Sequence, residues 1–414
     1  MSGTAPIVVA PDSLKGSCSS PEAASALARG VSSVFGEAVE IRELPMADGG
    51  EGTLDALVAA WGGRVETVAT TDALGRPCTG RIGFGASSAA TVSAIIETAD
   101  ANGLPAVSDR PLQPLDADSY GVGTLIVAAL DAGAEELLLC LGGSATNDGG
   151  AGMLRALGAR LLDAEGRAIE PGARGLARLH EVELSGLDPR AERLTWRIAC
   201  DVDNPLLGAR GAAAVFGPQK GATPDDVERI DRGLERLLLA LAGATGAPAD
   251  ALRAQEGLGA AGGLSLGPLS IFGAQLMPGA RLVSEAIGLR DALRGAAFAI
   301  TGEGRLDSQS VDGKVVSQVL ADAEPGTPVF VIAGSVGLTA AECREAGVAA
   351  AFSLAQGPAE LSELQAGAVG LLEEAAAQLA GVLAGPRHAA VAASELAPMT
   401  TRISTALPGQ PNEL

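Results

Sequence analysis

The sequence has few of the residues on which several common protein functions depend. Its 414 residues include two histidines, and aromatic residues make up 2% of the chain. A histidine-based triad or proton shuttle is therefore not expected. The scarcity of aromatic side chains and the net charge of −21 also argue against nucleic-acid binding, because phosphates would be repelled and bases would find few stacking surfaces.

Cysteine and long apolar runs are also scarce. The five cysteines are scattered, without a CxxC pair or a nearby histidine cluster, so neither a disulfide framework nor a zinc site is predicted. No apolar run approaches the roughly 18 residues needed to span a bilayer, and no basic segment precedes an apolar stretch at the start. These features predict a cytoplasmic protein that does not bind membranes. The sequence leaves the oligomeric state open between monomer and homodimer.

Lysine is rare but is placed in a consistent context. The chain contains 29 Lys and Arg residues, and its three lysines are Lys15 in DSLKGS, Lys220 in FGPQKGA and Lys314 in SVDGKVV. Chance alone is one explanation. The other is that compact ammonium groups beside glycine contact phosphate or carboxylate groups, and we favour it because arginine carries the positive charge elsewhere.

Short apolar runs that lead through polar, glycine-rich loops into helical periodicity predict an α/β protein built from β-loop-α units. Ligands of such sheets bind beyond the carboxyl ends of the strands, where these loops lie. A single long helix is expected over residues 358–384. The predicted strands cover residues 7–10, 41–44, 137–141, 196–199, 298–300 and 329–333.

The chain length favours two domains. The alternation of a doubly wound sheet is clearest near the two ends of the chain, and the middle is less regular. We therefore predict a first domain formed by residues 1–75 and 286–385, with a second α/β domain inserted at 76–285. Residues 386–414 are predicted to be a mobile tail.

Two common nucleotide-binding patterns are missing or weak. No GxxxxGK[ST] motif occurs, which excludes a P-loop kinase. The segment GLGAAGG at residues 257–263 matches GxGxxG, but a helical and polar stretch precedes it where a dinucleotide-binding unit would have a strand. A nicotinamide-dependent hydroxy-acid oxidoreductase is thus a remote alternative. A non-catalytic binding protein for small carboxylates is a second one.

Acidic and amide side chains recur in loops after the predicted strands. Their hard oxygen atoms suit magnesium better than a soft metal. Asp and Asn are also common turn formers, so one such loop alone would be weak evidence for a magnesium site. Four of these loops together with the lysines indicate magnesium-assisted phosphoryl transfer. The residues concerned are Asp48, Glu51, Asn147, Asp148, Asp201, Asp203, Asn204, Glu303 and Asp307.

The loop GGSATNDGG at residues 142–150 is the most distinctive local pattern. The paired glycines let the backbone approach a ligand closely, and successive amides with the next helix N-terminus can hold an anion. Asn147 and Asp148 then offer a metal ligand or a hydroxyl acceptor. Helix capping is their alternative role.

Five motifs, in this order, resemble those of the type I glycerate kinases: APDSLKGS, ADGGEGT, GGSATNDGGAGM, CDVDNPLLGARGAAAVFGPQKGA and TGEGRLDSQSVDGKV. The resemblance spans about residues 7–385. It implies ATP-dependent phosphorylation of D-glycerate at the 2-hydroxyl, to give 2-phosphoglycerate and ADP, with formation of 3-phosphoglycerate as the alternative. It also implies a flavodoxin-like doubly wound domain, an inserted second domain and an active site in the cleft between them.

The hard-ligand loops and this resemblance together suggest roles for individual residues. The catalytic candidates are Asp201, Asp48, Asp148 and Lys15, with Asp201 the first choice for the base that accepts the hydroxyl proton and Asp48 the second. The candidates for binding magnesium are Asp48, Glu51, Asp148 and Asp201. The candidates for binding substrate or nucleotide are Asp12, Ser13, Gly142, Gly143, Ser144, Asn147, Asn204, Lys220, Glu303, Arg305, Asp307 and Lys314.

Overall fold

The computed structural model describes residues 5–36, 39–88, 91–308, 310, 314–355 and 357–385. The predicted tail at 386–414 lies outside the described residues. The described part is a mixed α/β structure with two larger sheets and two small two-stranded ones. Among the helices that it contains, none combines the length and the apolar character needed to cross a membrane.

The strands, in chain order, are β1 (Ile7–Val9), β2 (Ile41–Glu43), β3 (Arg64–Thr71), β4 (Pro77–Ser88), β5 (Thr91–Glu97), β6 (Glu136–Cys140), β7 (Arg160–Leu162), β8 (Glu181–Glu183), β9 (Thr195–Ala199), β10 (Gln275–Met277), β11 (Phe298–Thr301), β12 (Arg305–Leu306), β13 (Val329–Ala333), β14 (Ser335–Val336) and β15 (Ala350–Ser353). The helices are α1 (Ser20–Phe35), α2 (Thr53–Trp61), α3 (Ala99–Asn102), α4 (Tyr120–Asp131), α5 (Ala151–Ala156), α6 (Gly172–Leu176), α7 (Ala212–Phe216), α8 (Pro224–Thr245), α9 (Ala249–Ala254), α10 (Leu266–Phe272), α11 (Gly279–Ile287), α12 (Leu289–Leu293), α13 (Val315–Asp322), α14 (Ala340–Glu345), α15 (Leu361–Ala366) and α16 (Ala368–Ala384).

The first large sheet is formed by the two ends of the described chain. Its five strands run in the order β15-β13-β11-β1-β2, and every neighbouring pair is parallel. The central strands are short, buried runs of Val, Ile, Phe and Ala, as expected for a parallel sheet covered on both faces. Helices α1 and α16 pack together on one side, where Gly30 permits an approach so close that a Cβ there would lie 2.2 Å from the Glu373 carbonyl oxygen.

The second large sheet is formed by the middle of the chain. Its order is β10-β9-β6-β5-β4-β3; β3, β4 and β5 form an antiparallel meander, and the remaining pairs are parallel. The predicted boundary at residues 75/76 falls in the turn between β3 and β4, which pair with each other in this sheet. The predicted boundary at 285/286 falls inside α11.

A shared hydrophobic core joins the two large sheets. It contains Val8 and Ala299 from the first sheet, Ile95 and Leu138 from the second, and apolar residues of α2 and α11. These side chains are fully buried, and burying a side chain of the size of Leu or Ile contributes about 1.5–3 kcal/mol. The contact fixes the sheets so that loops after parallel strands of both can face one another.

One helix prediction was wrong in detail. The single helix expected over residues 358–384 is two helices, because Gly367 interrupts them as the C-cap of α15 and the N-cap of α16. Its backbone lies at φ −93° and ψ 1°, outside helical geometry.

Candidate active site

Two neighbouring cavities are lined by loops from both large sheets, and they share two carboxylates. The first cavity measures about 460 Å³ and the second about 500 Å³. Asp48, which lies beyond β2 of the five-stranded sheet, lines both. Asp201, which lies beyond β9 of the six-stranded sheet, also lines both. Each sheet therefore supplies one carboxylate to the place where the cavities meet, and we call this region the cleft.

Backbone amides orient both carboxylates. The Gly279 N–H donates to Asp201 Oδ1 at 2.8 Å, and the Gly50 N–H donates to Asp48 Oδ1 at 3.1 Å. The loops approach closely because Gly49, at φ +84°, has no side chain: a Cβ there would lie 2.7 Å from the Ala199 Cβ and 2.9 Å from the Gly279 Cα. The glycines of ADGGEGT thus allow the two sheets' loops to touch.

All three lysines line the cleft. Lys15 and Lys220 line the first cavity, and Lys314 lines the second. Lys15 and Lys314 are exposed, but Lys220 is only 2% exposed. Its Nζ donates to the Thr146 carbonyl at 2.6 Å and to Ser144 Oγ at 3.2 Å. Burial lowers the pKa of Lys220 to about 7, with the nearby charge of Asp148 opposing the shift.

The acidic groups around Asp48 repel one another. Burial, followed by the charge of Asp48, raises the pKa of Asp12 to about 7. Burial is also the main cause that raises the pKa of Glu303, and the charges of Asp307 and Asp48 add to it while Lys314 opposes it. The pKa of Asp201 is raised by partial burial and by Asp48. An excess of negative charge therefore surrounds Asp48, and a cation would relieve it.

The GGSATNDGG loop contributes its first half to the cleft. Gly142, Gly143 and Ser144 line the first cavity. Asn147 and Asp148 do not line it, and both are fully buried. The Asn147 side-chain amide donates to the Pro114 carbonyl at 3.1 Å.

Both oxygens of the Asp148 carboxylate accept hydrogen bonds inside the protein. The Ser119 N–H, the Ser119 hydroxyl and the Gly152 N–H donate to Oδ2 at 3.0, 2.8 and 3.0 Å. The Gly150 N–H donates to Oδ1 at 3.2 Å. The predicted metal-binding and catalytic roles of Asp148 therefore do not fit its position, because its oxygens face the loop backbone and Ser119.

The other predicted residues differ in their relation to the cleft. Asp203 lines the second cavity and pairs with Arg210 at 2.7 Å, whereas Asn204 lines neither cavity and its side chain donates to the Arg210 carbonyl at 2.9 Å. Arg305 and Asp307 approach each other at 3.5 Å on the surface near β12. Ser13 and Glu51 line a separate depression of about 400 Å³, to which Lys15 also contributes.

Several cleft residues were not predicted from the sequence. Cys200 lines both cavities, Gln219 the first and Glu256 the second. Two of them could have been found as sequence neighbours of predicted residues, since Cys200 directly precedes Asp201 and Gln219 directly precedes Lys220.

The GLGAAGG segment also contributes to the first cavity, through Ala260 and Ala261. Its glycines allow close packing, because a Cβ on Gly262 would lie 2.1 Å from the Thr146 carbonyl oxygen. The second half of the segment forms a 3-10 turn at Ala260–Gly263, and the element before it is helix α9 rather than a strand, so it lacks the context of a dinucleotide-binding loop.

No group of three or more His, Cys, Asp or Glu side chains within the described ranges is arranged to hold a metal ion by itself. A cation at Asp48 would therefore take its other ligands from substrate or water. Magnesium is commonly bound in this way, through one or two carboxylates and substrate phosphates.

Residues 7–384 match the sequence profile of the Glycerate kinase family. The chain belongs to the glycerate kinase family. The resemblance predicted from the five motifs is thereby confirmed, and the protein is an enzyme of this family.

Individual relatives match along most of their length. Glycerate kinase of Bacillus subtilis (strain 168) is 44% identical over 378 residues, which cover 90% of this chain and 96% of the relative. Glycerate 2-kinase of Escherichia coli (strain K12) is 39% identical over 385 residues, covering 92% and 99%. A solved crystal structure from Salmonella typhimurium LT2, described as a glycerate kinase 2, superimposes with a TM-score of 0.82 at 41% identity, covering 95% of this chain and 100% of the other.

Proposed function

We propose that the protein transfers the terminal phosphoryl group of ATP to the 2-hydroxyl of D-glycerate, giving 2-phosphoglycerate and ADP. The observation that carries the proposal is the meeting of two cavities at Asp48 and Asp201. A kinase needs two substrates in line with the transferred group between them, and catalysis depends mainly on positioning and charge neutralisation. The name of the Escherichia coli relative, glycerate 2-kinase, supports the choice of hydroxyl.

In this proposal Asp201 accepts the proton of the substrate hydroxyl. Its raised pKa makes it a stronger base than an ordinary aspartate. The hydrogen bond from the Gly279 N–H fixes the orientation of its carboxylate. Lys15, Lys220 and Lys314 contact phosphate or the glycerate carboxylate from the walls of the two cavities. Asp48 is the second candidate for the base.

Magnesium fits the residues around Asp48. The mutual repulsion of Asp12, Asp48 and Glu303 would be relieved by a divalent cation, and the available donors are carboxylate oxygens. We propose that Asp48 holds it, which leaves the Asp201 carboxylate free to act as the base, and that Glu51 and Asp148 do not. When bound, magnesium would neutralise charge on the phosphate oxygens of ATP.

The proposal includes the domain arrangement. We propose that the five-stranded sheet is the centre of a flavodoxin-like domain, since its own strands, numbered along the chain, follow the order 2-1-3-4-5. The inserted domain would then run from about β3 to β10, residues 64–277, in place of the predicted 76–285. The cytoplasmic location and the oligomeric state stay predictions from the sequence.

One experiment tests the reaction and its regiochemistry. The protein is incubated with ATP, magnesium and D-glycerate, and the products are identified by phosphorus NMR. We expect the signals of 2-phosphoglycerate and ADP. Formation of 3-phosphoglycerate would contradict the choice of hydroxyl and leave the kinase proposal intact, whereas ATP that stays intact in the presence of glycerate would contradict the kinase proposal.

The two cavities can be assigned with lysine variants. Lys220→Met should raise the KM of whichever substrate occupies the first cavity, and Lys314→Met should raise the KM of the one in the second. Equal effects of both variants on both KM values would contradict a division of the cleft between two substrates.

A further inference from the structure

A third cavity is lined by four arginines. It measures about 370 Å³ and lies between α6 and α8. We call it the arginine pocket. It shares no lining residue with the two cavities of the cleft. Its lining residues are Leu115, Ala173, Arg174, Ala177, Arg229, Arg232, Gly233 and Arg236.

The arginines on α8 form one stripe. Arg229, Arg232 and Arg236 are separated by three and four residues, so their side chains lie on the same face of the helix. The acidic residues of this stretch, Glu228, Asp231 and Glu235, repeat the same spacing one position earlier and do not line the pocket. The helix thus separates its charges and directs the positive ones into the pocket.

Much of the hydrogen-bonding capacity of these guanidinium groups is unused inside the protein. Arg174 forms a double hydrogen bond with Asp116, at 2.6 and 2.9 Å, and Arg236 donates to the Ala177 carbonyl. Arg232 Nε donates to the Glu228 carbonyl at 3.1 Å, and its guanidinium lies 3.8 Å from the Glu228 carboxylate. Arg229 forms no ion pair within 4 Å among the described residues, and its charge interacts at longer range with that of Asp226. Since a guanidinium has five N–H donors, most remain available to a ligand.

The floor of the pocket is apolar and closely packed. Leu115, Ala173 and Ala177 offer hydrocarbon surface. Gly233 is buried beneath them, where a Cβ would lie 3.0 Å from the Leu176 Cβ. A cavity of this size, with an apolar floor and a few polar groups at the rim, has the general character of a small-molecule site.

We propose that the arginine pocket binds a small organic phosphate, with the phosphate on Arg229 and Arg232 and the carbon skeleton on the apolar floor. Guanidinium groups match phosphate geometry with paired hydrogen bonds. In a chain of net charge −21, long-range electrostatics repel such anions, so that only a local cluster of cations can retain one. The proposal does not depend on the reaction assigned to the cleft.

The pocket lies next to a segment that supports the GGSATNDGG loop. The Arg174 N–H donates to the Leu115 carbonyl at 2.8 Å, and the preceding carbonyl, that of Pro114, accepts the hydrogen bond from Asn147. A ligand in the pocket would therefore lie against Leu115, which directly follows the residue that Asn147 bonds. The bound ligand should slow hydrogen exchange of the backbone amides around the pocket, and this measurement would show where the ligand binds.

Calorimetric titration with pyrophosphate, without magnesium, tests the proposal on the full chain. The wild type is compared with the double variant Arg229→Ala/Arg232→Ala and with Lys15→Met/Lys314→Met, which weakens anion binding in the cleft. We expect the arginine variant to lose at least about tenfold in pyrophosphate affinity at one site, and the lysine variant to retain that site. Hydrogen exchange should slow at residues 172–177 and 229–236 on addition of pyrophosphate.

A second double variant, Arg193→Ala/Arg344→Ala, removes the same charge from two exposed positions outside the pocket. It should bind pyrophosphate as the wild type does, and an equal loss would show general electrostatic attraction and overturn the proposal. Arg229→Lys/Arg232→Lys keeps the charge and should still weaken binding, even if the alanine variant does not fold. Binding that is unchanged in the arginine variants, or absent from the wild type, would also overturn it. Citrate serves as the anion without phosphate, and tighter binding of citrate than of pyrophosphate would contradict the assignment to phosphates.

Discussion

The Asp201 carboxylate accepts a 2.8 Å hydrogen bond from the backbone N–H of Gly279, the first residue of α11. The same glycine lies against the other shared carboxylate residue, because a Cβ at position 279 would be 2.0 Å from the Asp48 carbonyl oxygen. One residue therefore orients Asp201 and allows the loop of Asp48 to approach it. The relative position of the two carboxylates depends on the absence of a side chain there.

Replacing Gly279 with alanine should disturb the cleft. The new methyl group would force the Asp48 loop away, and overpacking of this kind costs about 1–3 kcal/mol of folding free energy. We expect a lower kcat and a lower unfolding midpoint. Gly243→Ala is the matched control, since Gly243 lies within α8 with no atom within 4 Å of an added Cβ; it should keep its activity and gain up to about 1 kcal/mol in stability. Wild-type kcat in Gly279→Ala would contradict the proposed dependence.

Asp201→Asn should lower kcat by about 10²- to 10⁴-fold while the protein stays folded, because removing a catalytic base has an effect of that size. Asp291→Asn is the control outside the cleft: Asp291 is exposed, lines neither cavity and pairs with Arg294 at 2.6 Å, so this variant should turn over near the wild-type rate. Steady-state kinetics and circular dichroism of both variants check the prediction. Near-normal turnover of Asp201→Asn would show that Asp201 is not the base, and Asp48 would then be the candidate.

Much of the fold could be predicted from the sequence, because hydrophobic runs, capping residues and glycine-rich loops are local signals. The strand predicted at 7–10 corresponds to β1, and the helix after it begins with a capping box formed by Ser19 and Glu22. The strand β3 was not predicted, since it is largely exposed and has no apolar run of the kind that indicated the other strands. That is why the predicted boundary at 75/76 divides a hairpin.

The site was predicted less completely, for a related reason. Loops after strands are visible in the sequence, but the direction of each side chain within a loop is not. Ser144 and Asp148 are four residues apart in one motif, yet Ser144 lines the cleft and Asp148 is directed toward Ser119. The close approach of Gly279 to Asp48 joins segments more than two hundred residues apart, and no local pattern indicates it.

Asp148→Asn should act on stability rather than on chemistry. The buried carboxylate accepts four hydrogen bonds, and an amide in its place would direct N–H groups toward some of the same donors. Hydrogen bonds to a charged group contribute about 1.5–3 kcal/mol each, so we expect a loss of at least about 3 kcal/mol in the free energy of unfolding. Denaturant unfolding measures it, and kcat per folded molecule should stay within a few-fold of the wild type. A stable Asp148→Asn variant with a kcat as low as that of Asp201→Asn would contradict this prediction and indicate a catalytic role for Asp148.

Lys220 should make the stability of the protein depend on pH. Burial lowers its pKa from the ordinary value of 10.5 to about 7, so the unfolded chain binds more protons than the folded protein between these two values. The free energy of unfolding should therefore rise with pH across this window, by about 2 kcal/mol between pH 7 and pH 9. Lys220→Met has no titrating group at this position and should lack this contribution.

The test compares how much the free energy of unfolding changes with pH in each protein. The contribution of the many other titrating groups cancels in this comparison. Denaturant unfolding of the wild type, Lys220→Met and Lys15→Met is compared at pH 7 and pH 9, with Lys15 as an exposed lysine of the same cleft. The rise in stability with pH should be smaller in Lys220→Met than in the other two proteins. If all three rise equally, Lys220 keeps its proton in the folded protein at pH 9. Its 2.6 Å hydrogen bond to the Thr146 carbonyl would then be that of an ammonium group, and the Lys220 charge would be available to an anionic substrate across the whole range.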